Sequence, residues 1–374
     1  MMGEEMIPLN RPTMVELDSM RWEASDFSSD GTAAQEINRI FREVLGVGMS
    51  LLTPSGTAAL ELTALLLGLG PEDEVIVPAY TFVSTANAYL LRGARIVFAD
   101  IRRDTFNIDE RLLPERVTSR TKAVVVVHYA GHACAMDEIC SLSEERRFVV
   151  IEDNAHGLFA SYKGRYLGSL APLAAQSFHS TKNFQCGEGG ALFVNQKCYE
   201  EEAEILREKG TDRGRFLRGE VDRYTWRSMG SSFLLAEPLA RILLAQIQRR
   251  REILEKRREH WEYYQRNLRD WARANGVQLP IILPECRINY HLFSLLMPDK
   301  DSRDRLMKHL EERGIQSATH YPPLPITPMG RTLGGKPGQC PVAEEVYDRL
   351  LRLPFFTSLT NEERERVVEA VREF

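Results

Sequence analysis

The 374-residue sequence contains no Cys-x-x-Cys pair, and its six cysteines, Cys134, Cys140, Cys186, Cys198, Cys286 and Cys340, lie scattered along it. With no charged-then-apolar leader at the start, the expected location is a reducing cytoplasm rather than an oxidising compartment. Long apolar runs are also missing. The stretch from Ala58 to Leu69 is interrupted by Glu61 and is too short to cross a bilayer, so no membrane span is expected. There is no excess of positive charge, with 48 Lys and Arg against 53 Asp and Glu and a net charge of −5. General attraction to nucleic acid is therefore not expected, and an anionic ligand needs a local site. Neither a fixed-period repeat nor a low-complexity tract occurs. No G-x-G-x-x-G follows the first strand-like run, and Gly187 to Gly190 comes too late for one, which disfavours an NAD-dependent sugar oxidoreductase.

What is present fits an ordinary globular chain, 43% hydrophobic and 27% charged. Its length suits two domains, or one large α/β domain with a smaller partner. Between residues 70 and 195 the runs Glu74-Val75-Ile76-Val77, Ile96 to Ala99, Ala123 to Val127 and Phe148 to Ile151 alternate with helical or loop stretches. Near-continuous apolar runs predict strands buried on both faces of a mostly parallel sheet. Ligands of such sheets sit beyond the carboxyl ends of the strands. The residues to examine there are Pro78 to Phe82, Asp100, His128-Tyr129 and Glu152-Asp153-Asn154.

From about Glu237 to Ala274 one long helix is expected, connecting a large domain (1–236) to a smaller α+β one (237–374). Its Arg249-Arg250-Arg251 and Arg257-Arg258 alternate with Glu252, Glu255, Glu259 and Glu262, the pattern of a solvated helix face rather than a nucleic-acid patch. Strands over 290–297 and 315–321, and helices over 302–313, 342–353 and 360–373, complete the expected smaller domain.

Three elements could carry chemistry. In Pro54-Ser55-Gly56-Thr57-Ala58-Ala59-Leu60, hydroxyl and glycine residues open an apolar helix, and a helix start offers free N–H groups to a phosphate. The same run serves equally as a plain N-cap. In Ile151-Glu152-Asp153-Asn154-Ala155-His156, a buried strand ends in acid. Asp153 could pair with the pyridine nitrogen of pyridoxal 5'-phosphate (PLP), or cap a helix, and His156 could lie beside such a ring or be a packed structural histidine. In Ser177-Phe178-His179-Ser180-Thr181-Lys182-Asn183, followed by the glycines of 187–190, Lys182 could be a partly desolvated nucleophilic amine or an ordinary surface charge. A metal site at His128, His132 and Asp153 is disfavoured, because Gly131 breaks any helix between the histidines.

Together, and in this order and spacing, these runs and the segment Pro78 to Thr85 (PAYTFVST) resemble the DegT/StrS family of PLP-dependent sugar-nucleotide aminotransferases over nearly the whole chain. Lys209-Gly210-Thr211, Arg218 to Arg227 and Gly230-Ser231-Ser232-Phe233-Leu234 resemble its dTDP-4-amino-4,6-dideoxygalactose transaminase branch. The resemblance implies the type I aminotransferase fold and a homodimer with active sites at the subunit interface. It implies that Lys182 forms the Schiff base and later moves protons, that Asp153 holds the pyridine nitrogen, that Phe82 stacks on the ring and that His156 sits beside it. Gly56, Thr57 and Ser177 would hold the phosphate. Where many relatives contribute an Asn from the neighbouring subunit within a Gly-Tyr-Asn-Tyr-Arg-like run, this sequence has Ser232. His320 and Tyr321 match a His-Tyr at the site's mouth and are candidates for substrate contact. The implied substrates are an amino-acid donor, L-glutamate foremost, and a dTDP-4-keto-6-deoxyhexose aminated at C4, with amination at C3 as the alternative. Relatives that remove a sugar hydroxyl carry His where this chain has Lys182, which disfavours dehydration. A non-catalytic protein that kept the fold would have no need of Lys182 and Asp153.

Overall fold

The computed structural model describes residues 6–14 and 29–374. Its centre is a seven-stranded sheet: β1 (Met49–Thr53), β2 (Glu74–Pro78), β3 (Arg95–Ala99), β4 (Thr121–Val127), β5 (Val149–Asp153), β6 (Leu173–Ser177) and β7 (Gly190–Val194). The spatial order is β1-β7-β6-β5-β4-β2-β3. Contacts from β6 through β5, β4 and β2 to β3 are parallel, and only β7 runs against its neighbours. Of the four apolar runs singled out in the sequence, three lie wholly in strands of this sheet, and the fourth joins β5 from Val149 on, with Phe148 just before it. Val124, Val125, Val126 and Ile151 are fully buried, as expected of strands covered by helices on both faces.

Parallel strands put their carboxyl ends on one edge. Pro78, Val127, Asp153 and Ser177 therefore end β2, β4, β5 and β6 on the same side of the molecule. The chain between β6 and β7 folds back as an extended hairpin, tied by Phe178 N to Gly189 O (2.8 Å), Cys186 N to Phe178 O (3.0 Å) and Ser180 N to Gly187 O (2.9 Å). Lys182 lies at its turn.

The C-terminal part differs from expectation at several elements. Two helices, Glu237–Gln248 and Arg250–Ala274, replace the single long one, and the chain turns at Arg249 (φ −92°, ψ 15°). Each helix serves its own core. Leu243 and Ile247 pack with Phe41, Phe178 and Phe193 against the large sheet, whereas Trp261, Tyr264 and Leu268 pack with Phe293, Leu295 and Phe356. Of the expected strand over 290–297 only Ser294–Leu296 forms, and it pairs with Leu350–Arg352, a strand that the expected helix over 342–353 would have covered. No strand forms over 315–321. Ile315 bridges to Ile7 and Ala318 to Arg352, on different partners, and Pro322-Pro323 supply no N–H groups to continue a ladder. The helices form at Lys300–Glu311, Pro341–Arg349 and Asn361–Arg372, close to their expected positions. The helix opened by Ser55 ends at Leu66, three residues short of Leu69.

Candidate active site

Alternation along β5 divides its two acids between opposite faces. Glu152, fully buried, accepts from Gly168 N (2.7 Å), Leu170 N (2.8 Å), Ala171 N (2.8 Å) and His128 Nε2 (2.9 Å). It is a structural anchor for the loop before β6. Asp153 faces the other way, where Thr85 Oγ1 donates to Oδ2 at 2.8 Å and Ala155 N to Oδ1 at 3.2 Å. Burial raises the Asp153 pKa, and Thr85, Ala155 and Lys182 oppose that rise. His128, committed to Glu152 and to Cys134 N, is not arranged to share a metal with Asp153. Asp100 also stays outside the site. Its oxygens accept from Val342 N and Ala343 N at 2.9 Å each and so cap the helix starting at Pro341.

The Lys182 amine makes no hydrogen bond or ion pair among the described residues. Desolvation lowers its pKa to about 8, with Asp153 pulling upward and Arg352 adding to the depression. At pH 7 such an amine is about one-tenth unprotonated, against roughly 1 part in 2,500 for an unperturbed lysine. Its neighbour Asn183 fixes the turn by donating to Asn289 O (2.8 Å) and pairing with His291 Nδ1 (2.9 Å). His156 stacks on His291 with ring centroids 4.1 Å apart, and its Nδ1 accepts from Ala130 N at 3.3 Å. Burial and nearby positive charge keep both imidazoles neutral well below the usual histidine range. His156, Ser177, Lys182, Asn183 and His291 line one pocket.

Helix Gly56–Leu66 begins over the end of β6. A Cβ at Gly56 would stand 2.8 Å from Ser177 Cβ, so only glycine lets the helix start come this close to Ser177. Ser55 caps the helix by accepting from Ala58 N (3.0 Å), which leaves the Gly56 and Thr57 amides without intrahelical acceptors. Thr57 Oγ1 meets Ser84 Oγ at 2.8 Å. Phe82 is 59% exposed, its ring 6.4 Å from that of Tyr321. His320 stacks on Tyr321 at 4.2 Å and touches Tyr129 Oη through Nδ1 at 3.0 Å, while Tyr80 Oη donates to its carbonyl at 2.6 Å. The Arg352 guanidinium abuts His320 Nε2. Burial, Arg352 and Lys182 push the His320 pKa down to about 2.

Thus Lys182, Asp153, His156, Ser177, Gly56 and Thr57 surround the ends of β5 and β6, with Phe82, His320 and Tyr321 at the ends of β2 and β4. Ser232 is apart from them, exposed and bridged to Glu208 on a surface loop. Thr85, Asn183, His291 and Arg352 were not singled out from the sequence. Thr85 and Asn183 lie inside runs already noted, but their partners are distant in sequence. His291 and Arg352 belong to no local motif.

The sequence profile of the DegT/DnrJ/EryC1/StrS aminotransferase family matches residues 17–372. The chain belongs to this family. It is a PLP-dependent sugar aminotransferase. An uncharacterized protein of Methanocaldococcus jannaschii is 32% identical, with 100% of this chain and 98% of that one covered. The GDP-perosamine synthase of Caulobacter vibrioides is 32% identical over 92% of this chain and 90% of its own. The PLP form of the putative sugar aminotransferase Spr1654 from Streptococcus pneumoniae superposes with a TM-score of 0.89 at 26% identity, covering 98% of each chain.

Proposed function

We propose that this aminotransferase moves the amino group of an amino acid, L-glutamate foremost, to C4 of a dTDP-4-keto-6-deoxyhexose, with Lys182 as the catalytic amine. The observation that carries the reading is the Lys182 amine, unbonded and depressed to about 8, in one pocket with His156 and Ser177 and under the electrostatic pull of Asp153. Overall, amino acid and keto sugar become 2-oxo acid and amino sugar, so an amine and a carbonyl oxygen change places and no oxidant is consumed.

The residues fit the cofactor. The Gly56 and Thr57 amides with the Ser177 hydroxyl would form an anion cradle suited to the phosphate, brought together because Gly56 has no Cβ to strike Ser177. Asp153, raised by burial yet held by Thr85, would pair with the pyridine nitrogen and keep it protonated. His156, backed by His291, and Phe82 offer flat surfaces for the ring. Bound PLP supplies an aldehyde carbon and an electron-withdrawing ring. Lys182 Nζ holds the cofactor at rest. As a free amine it would take the proton from the donor Cα in the first half-reaction and would deliver one to the sugar carbon in the second. His320 and Tyr321 stand at the mouth as substrate contacts.

The pH dependence follows from the sign of the Lys182 shift. A lowered pKa means the nucleophilic free amine grows as pH rises through about 8 and is complete above it. The rate of covalent PLP attachment to apoenzyme is therefore expected to rise about fivefold from pH 7 to 8 and to level off above pH 9. A stopped-flow profile still climbing through pH 10 would mean an ordinary lysine.

The nucleotide and carbon position rest on the likeness of the segment 209–234 to the dTDP-4-amino-4,6-dideoxygalactose branch. Because two relatives are named GDP-perosamine synthases, the test compares dTDP-4-keto-6-deoxyglucose, its GDP-mannose counterpart and a 3-keto isomer with L-glutamate as donor. Preference for the GDP sugar or the 3-keto isomer sinks this assignment. The same segment exposes Leu217 (66%), Trp226 (82%) and Met229 (59%), an apolar surface suited to a second copy. We infer a homodimer in which Ser232 reaches the neighbour's phosphate site, and a monomeric mass by light scattering would contradict it. The turn at Arg249, where the two helices part to separate cores, then divides a cofactor-binding part from a second part, beyond the expected boundary at 236/237.

A further inference from the structure

The geometry points to Arg352 as the group that receives the α-carboxylate of the amino donor, and so as the residue that separates the two half-reactions. This rests on the functional reading above. Arg352 ends the strand Leu350–Arg352, and its backbone is locked by Arg352 N to Ala318 O (2.7 Å) and by pairing with Ser294. The side chain reaches toward the catalytic pocket, where one guanidinium nitrogen abuts His320 Nε2 and Nε is buried with no hydrogen-bond partner. Among the described residues no carboxylate pairs with it. A guanidinium is always a donor, so His320 Nε2 accepts and Nδ1 carries the proton toward Tyr129. The contact with a neutral imidazole therefore supplies no counter-charge.

A partly buried guanidinium without an anion is costly, and its planar fork matches a carboxylate in a bidentate pair. The field of Arg352 is felt at Lys182, His156 and His291, so its charge lies close to the pocket those three line. Arg257, the other buried guanidinium nearby, is already satisfied by Tyr290 O, His291 O and Thr357 Oγ1. That leaves Arg352 as the arginine whose donors are still available.

Two anions other than the carboxylate are less well placed. The phosphate cradle of Gly56 and Ser177 lies at the end of β6, whereas Arg352 reaches His320 and Tyr129 beyond β4, two strands away. At the usual strand spacing that is about 10 Å. In a nucleotide sugar the diphosphate is attached to C1, across the ring from the C4 that reacts. The α-carboxylate is bonded directly to the reacting carbon and must lie beside Lys182.

The test uses holoenzyme and reads each half-reaction by the cofactor's absorbance. In single turnovers, L-glutamate converts the PLP form to the PMP form, and the keto sugar converts the PMP form back. Arg352→Gln is expected to lower kcat/KM for the glutamate half about 100-fold and to leave the sugar half within about threefold. Arg352→Lys should recover roughly tenfold of the loss, and glutarate should compete with glutamate on wild type but not on Arg352→Gln. Equal losses in both halves, or a loss confined to the sugar half, would overturn the assignment. A wild type that aminates no keto sugar sinks the functional reading instead, a result separate from any effect of Arg352.

Discussion

Lys182→Ala is expected to lower amino transfer by at least about 1,000-fold, because it removes both the attachment point and the proton-transfer base. The variant should still bind the cofactor in its amine form. The phosphate cradle and Asp153 are untouched, and the turn around residue 182 is held by Asn183 through Asn289 and His291. Folding should therefore survive, which distinguishes lost chemistry from lost structure. The measurement is kcat beside equilibrium PMP binding. Retained turnover would mean that another group moves the proton.

Asp153→Asn should cost about 100- to 1,000-fold in kcat, the usual effect of removing one preorganised charge from the reacting centre. Asn keeps the shape and can still accept from Thr85, so cofactor affinity should fall far less than turnover. Thr85→Val, which removes the 2.8 Å bond to Asp153 Oδ2, should cost about tenfold by loosening that carboxylate. Losses that follow cofactor occupancy alone in both variants would make Asp153 an anchor and not an electronic partner.

The large sheet was legible because its strands are buried on both faces and so read as unbroken apolar runs, such as Ala123 to Val127. The edge that carries the candidate site followed from the parallel order, and of the polar residues there Asp153 turns to Thr85 within the field of Lys182 while Glu152 and Asp100 serve structure. That division depends on which face of β5 each side chain takes and on a helix cap more than 200 residues away, neither of which a local window contains. The turn at Arg249 carries no Pro or Gly to announce it and arises because the two helix faces join different cores. The expected strand over 315–321 failed for a similar reason, since its possible partners, Ile7 and Arg352, come from opposite ends of the chain. At the site, Lys182 was readable only through the order of several motifs. His291 and Arg352 reach it through tertiary packing, without any sequence signal of their own.

Everything proposed for the reaction depends on Lys182 carrying the cofactor. Borohydride reduction of the PLP-loaded enzyme, followed by proteolysis and mass spectrometry, tests it directly. One pyridoxyl group per chain is expected, located on the peptide at Lys182, with loss of the visible absorbance band. A pyridoxyl group on any other lysine, or none with the band intact, would contradict it.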